Sequence, residues 1–134
     1  RPTAESRQAL RAFADDTYFH QTLERRSDGE IVRYGDLDEA LATRLTDGSQ
    51  FDREWRIHFH IPLHAGPPGH FQTTADHVTG ILDELKRRPS MCRHLEMETY
   101  TWEVMPEPLK QRNVVDQLAA EYAWTLRELA QRGL

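Results

Sequence analysis

Two histidines and two glutamates carry the strongest chemical signal in this chain. His58 and His60 stand two residues apart in WRIHFHIPL, residues 55–63. Glu96 and Glu98 repeat that spacing in HLEMETYTW, residues 94–102. On an extended strand, residues two apart project to the same face. Both imidazoles would then share one inner face, and both carboxylates the adjacent inner face, converging near the strand C-termini. Neutral imidazole is a common metal ligand, and carboxylates complete mixed nitrogen and oxygen sites. The pattern therefore points to a divalent zinc, manganese or iron ion, with His58, His60, Glu96 and Glu98 as ligands. Glu96, Glu98 and His58 are also the candidates for acid–base or electrophilic roles. The competing reading is structural, with His58 hydrogen-bonded to Glu96 inside the fold. Burying two carboxylates without a cation or donor is costly, and that favours metal or direct substrate contact.

Other side chains are less specific. His20 shares a strand face with Tyr18 and Thr22 and is a candidate substrate contact. A lone strand histidine also serves as a packed structural residue. Trp102 and Tyr100 can line a pocket or fill a core. His64 and His70 flank the turn-rich Ala65–Gly69 segment. Thr73 and Thr74 open a helix, whose N-terminus can receive an anion or be plainly capped. Arg25 and Arg26 read as a solvated strand end. The single cysteine, Cys92, has no base nearby in sequence.

The elements that must position these groups follow from periodicity and turn chemistry. Pro2 and Thr3 open a short helix carrying Ala9, Leu10 and Phe13. Residues 17–25 read as a strand, Ser27-Asp28-Gly29-Glu30 as a turn, and residues 31–34 as a short return strand. Asp36 and Glu39 form a capping box for a helix to about Leu45, ended by Asp47-Gly48-Ser49. Residues 55–63 form the clearest strand. Thr73 and Asp76 cap a helix over residues 74–88, with Val78, Ile81, Leu82 and Leu85 on one face. Residues 94–102 make a further strand. After Pro106 and Pro108, a last helix carries Val115, Leu118, Ala119, Tyr122, Leu126 and Leu129 as its buried stripe.

That order predicts an α/β fold of parallel βα units. Strands apolar on one face and ionisable on the other suit a (β/α)8 TIM barrel, with helices outside and a polar site within. Eight such units need roughly 200 residues or more. The 134-residue chain is thus expected to be the C-terminal portion of a single TIM-barrel domain, with no second domain. Strands 55–63 and 94–102 are expected to lie side by side and parallel. The upstream part of the same barrel is then a required partner.

Composition narrows the function classes. A formal net charge of -5 argues against a broad nucleic-acid footprint. No apolar run approaches a membrane span, no secretory signal pattern opens the chain, and one cysteine fits a reducing, cytoplasmic setting. There is no GxGxxG, P-loop or GxSxG motif.

WRIHFHIPLH and HLEMETYTWEVMP, with DDTYFHQTLER and GDLDEAL upstream, resemble the family of metabolite-traffic protein E of the ebo operon (EboE). The resemblance runs from about Ala12 to the last helix. It implies a xylose-isomerase-like barrel related to sugar-phosphate isomerases and epimerases. In that superfamily the last strands supply a histidine, here His60 or His58, and a glutamate, here Glu98 or Glu96, to a divalent metal. Its aspartate three residues before a histidine is replaced here by Thr17, with Asp16 beside it. The implied role is handling a secondary-metabolite or isoprenoid-type precursor. The protein is expected to be either a metal-assisted isomerase or epimerase, or a non-catalytic component that binds the metabolite.

Overall fold

The structure is a computed structural model, and it describes residues 1–45, 48, 52–66, 69–98, 102–105, 110 and 113–134. Two compact units divide the chain, Arg1–His60 and Ile61–Leu134.

In the first unit, helix α1 (Ala4–Leu10) starts where the Thr3 side chain accepts from the Ser6 amide. A 3-10 turn at Arg11–Phe13 ends it. Strands β1 (Thr22–Arg25) and β2 (Ile31–Tyr34) form the expected hairpin, with Leu23 opposite Arg33 and Glu24 opposite Val32. Its turn is local chemistry. Gly29 takes a φ of 88°, and its amide reaches the Arg26 carbonyl at 3.0 Å. A left-handed residue there favours glycine. Helix α2 (Leu37–Ala42) is capped by Asp36, which accepts from the Leu37 amide at 2.7 Å. Glu39 reaches back to the Gly35 amide. Leu37, Ala40 and Leu41 are buried, with Leu10 of α1.

Strand β3 (Glu54–Ile57) pairs with β1 on the edge opposite β2. The sheet order is β2-β1-β3, and both pairings are antiparallel. This overturns the parallel βα architecture, and the TIM-barrel expectation with it. The strands are also shorter than the sequence indicated. Residues 17–21 are not strand, and β3 ends before His58. Tight pairing within the hairpin fixes β1 against β2, and β3 returns along the free edge of β1. A parallel neighbour would need a crossover.

The second unit is helical. Helix α3 (Ala75–Arg87) buries Leu82 and Leu85, and Thr74 caps it without a side-chain bond. Helix α4 (Val114–Arg132) starts at Asn113, whose side chain accepts from the Asp116 amide at 3.0 Å. It ends at Gly133, left-handed with a φ of 73°, where the Leu134 amide returns to the Leu129 carbonyl. Arg132 Nε joins Asp83 Oδ1 of α3 at 2.7 Å. The buried stripe expected on α4 is not the one observed. Val115, Ala119, Tyr122 and Leu126 are exposed, Leu118 and Leu129 half-buried, and Gln117 and Glu121 buried. Residues 94–98, expected as a strand, have no regular structure, and Trp102 begins a 3-10 turn, Trp102–Val104. Thr99, Tyr100 and Thr101 lie outside the described residues, as do Asp47, Ser49, Pro106 and Pro108.

Candidate functional site

His58 and His60 follow directly on β3. The His58 amide donates to the Gln21 carbonyl at 3.0 Å, so the backbone is pinned just past the strand end. The side chains then alternate. Ile57, Phe59 and Ile61 are half-buried, while His58 and His60 are exposed. Phe59 is the anchor. Its ring lies 4.9 Å from Phe13 and 5.2 Å from His20, centroid to centroid. With Phe59 held inward, the flanking imidazoles turn outward together, their centroids 4.8 Å apart and their planes at 33°.

His20 packs near Phe59 and is not part of this pair. The ring is buried, 8% exposed. Its Nε2 is 3.3 Å from Asp15 Oδ2, and its Nδ1 is 3.7 Å from Asp36 Oδ1 with no hydrogen-bond partner among the described residues. The His20 amide donates to Asp36 Oδ1 at 3.1 Å. Asp36 thus caps α2 and fixes the His20 backbone with one oxygen. The carboxylate beside the His20 ring Nε2 is Asp15, not Asp16 or Thr17, the positions to which the family resemblance pointed.

A second polar centre lies on the sheet, and sequence reasoning missed it. Glu24 of β1 is fully buried, 0% exposed. Its carboxylate accepts from Trp55 Nε1 at 2.8 Å, Arg53 Nη1 at 2.5 Å and Arg26 Nε at 3.2 Å. Burial pushes the Glu24 carboxyl up, but the bonds from Trp55 and Arg26 and the charge of Arg53 outweigh it. The group is held below the ordinary carboxylate range. Arg7 of α1 sits over the Trp55 ring, 5.3 Å from its centroid, and donates Nη2 to the Leu41 and Thr43 carbonyls. Burial and the neighbouring Arg11 lower the Arg7 pKa. Arg26, read from sequence as solvated, is half-buried and joins Glu24 to Glu30. The available signal was the shared face of Thr22 and Glu24, both buried. This centre holds α1, α2 and the sheet together. Its carboxylate is saturated by donors, so it serves architecture rather than a reaction.

Glu96, Glu98 and Trp102 belong to the second unit. Both glutamates are exposed on the irregular stretch 94–98. Trp102 is half-buried, with Lys110 Nζ 4.6 Å from its ring centroid and its own buried Nε1 without a hydrogen-bond partner among the described residues. His64 and His70 are exposed, and Cys92 Sγ contacts the His94 carbonyl.

A resident zinc ion takes three or four protein donors. The His58–His60 pair offers two. Among the described residues, no three His, Cys, Asp or Glu side chains are grouped to hold a metal. Among the described residues, no helix is long and apolar enough to cross a membrane. No family model, no curated protein and no solved structure matches this chain.

Proposed function

We propose that the chain is a sugar-phosphate isomerase/epimerase-like protein of metabolite traffic, and that His58 and His60 meet the metabolite. The single observation that carries this reading is the pair of exposed imidazoles 4.8 Å apart, held outward by the anchored ring of Phe59. Each neutral imidazole offers one N–H donor and one acceptor nitrogen. Two side by side can address neighbouring hydroxyl and carbonyl oxygens of a sugar. Protonated, they can receive a phosphate. The resemblance of WRIHFHIPLH and HLEMETYTWEVMP to the metabolite-traffic family supplies the substrate class.

Isomerisation or epimerisation needs one step more, removal of a proton from the carbon beside a carbonyl by a positioned base. The resemblance implies a glutamate for that step, and Glu98 or Glu96 stands at its place in the motif. The second reading is a binding component without turnover. It is favoured by the exposure of both glutamates on an irregular stretch, since a catalytic base must be held in a fixed geometry. Deuterium exchange into xylulose 5-phosphate, followed by proton NMR, separates the two. Washout of the proton beside the carbonyl, abolished in Glu98→Gln or Glu96→Gln, supports the enzyme. Saturable binding with no exchange supports the binder. Neither binding nor exchange across ketose and aldose phosphates overturns the proposal.

A further inference from the structure

Helix α4 shows solvent the face that a packed helix would hide. Val115 is 69% exposed, Tyr122 52% and Leu126 61%. The opposite face buries Gln117 and Glu121, joined by a 3.0 Å hydrogen bond between Gln117 Nε2 and Glu121 Oε1. At about 100° per residue, Ala119, Ala123 and Ala130 fall on the same exposed side as Val115, Tyr122 and Leu126. All three alanines are exposed. The result is a continuous apolar stripe along a helix of 19 residues. An apolar face of this extent marks an interaction site.

We infer that this stripe is a self-association surface, on which α4 of a second copy of the chain docks antiparallel. The order of residues along the stripe identifies the occupant. Place a two-fold axis at the middle of the stripe, between Tyr122 and Ala123. Val115 then faces Ala130 of the other copy, Ala119 faces Leu126, and Tyr122 faces Ala123. Each large side chain meets a small one, as interdigitating helices require.

Charge agrees with size. A two-fold axis perpendicular to both helices keeps matching flanks together. Asp116 and Arg127 lie on one flank, both exposed. In the antiparallel pair, Asp116 of one copy lies about 3 Å along the axis from Arg127 of the other. The pairing forms twice. A parallel pair in register would stack Val115 on Val115 and would carry Asp116 and Arg127 of the two copies to opposite sides of the seam, about 16 Å apart along the axis, so neither would find its counter-charge. The Asp116 carboxylate already accepts from Asn113 Nδ2 at 2.7 Å and retains lone pairs for a guanidinium. A helix about 28 Å long gives a contact at the lower end of stable interfaces, consistent with a micromolar dimer.

Sedimentation velocity on the whole chain tests this. A dimer is expected at about 100 µM, dissociating on dilution toward about 1 µM. Leu126→Glu should weaken it at least about tenfold. Arg127→Glu should weaken it as well, and Asp116→Lys combined with Arg127→Glu should restore it. Far-UV circular dichroism identical to wild type shows that each variant is folded. The charge swap tests the pairing even if Leu126→Glu is not. A chain monomeric throughout overturns the inference and leaves the face to a different protein. So does a dimer indifferent to both Leu126→Glu and Arg127→Glu, or an open-ended assembly.

Discussion

Glu24 and Trp55 are cross-strand neighbours on β1 and β3, and the indole Nε1 donates to the Glu24 carboxylate at 2.8 Å. The same carboxylate takes the charges of Arg53 and Arg26, so one buried group ties the sheet together. Removing one partner of a buried ionic group strands the others. Glu24→Gln keeps the shape but leaves Arg53 and Arg26 without a counter-charge. We expect a loss of about 2 to 4 kcal/mol, tempered because both arginines reach water. Urea unfolding followed by Trp55 fluorescence, with Trp102 and Trp124 replaced by Phe, measures it.

The same cluster sets an acid limit. Glu24 is held below the ordinary carboxylate range, despite its burial, by Trp55, Arg26 and Arg53. Glu54 is held low by Arg56 and Arg25. A carboxyl with a lower pKa folded than unfolded stabilises the fold above its unfolded pKa, and that gain disappears as pH falls through the folded value. Stability of the first unit should therefore be flat near neutrality and fall below about pH 4.5. In Glu24→Gln that fall should be shallower. The urea midpoint from pH 7 to pH 3, read on the same Trp55 reporter, checks both.

Asp36 serves two backbones at once, the Leu37 amide at the start of α2 and the His20 amide before β1. Asp36→Ala should cost about 1 to 2 kcal/mol, and Asp36→Asn much less, because asparagine caps almost as well. The amides of Leu37 and His20 should lose hydrogen-exchange protection together in Asp36→Ala. Loss at Leu37 alone would show that the His20 contact is idle.

The parts of this fold legible in the sequence are those fixed by neighbours along the chain. Ser27-Asp28-Gly29 announces the hairpin turn, and Thr3 and Asp36 announce helix starts. What the sequence concealed is pairing between distant segments. Residues 17–21 are as β-branched and aromatic as residues 22–25, yet only the latter find partners on both edges. Nothing local states that β3 returns antiparallel along β1. The α4 stripe has helical period, but periodicity cannot say which side turns inward. Here the bond between Gln117 and Glu121 and the Arg132–Asp83 pair face inward instead. Of the site, the two-residue spacing of His58 and His60 was visible. The Glu24 centre was not, because its arginine donor at Arg53 lies 29 residues away.

On the proposed function, the outward His58–His60 pair meets a sugar-phosphate-type metabolite. The most direct test is a titration with xylulose 5-phosphate, following the imidazole Hε1 resonances of the seven histidines by NMR. Saturable shifts are expected at His58 and His60, with the buried His20 little moved. In His58→Ala/His60→Ala, affinity measured by calorimetry should fall at least about tenfold with unfolding unchanged. Absence of any shift at His58 and His60, or undiminished affinity in the double variant, would contradict it.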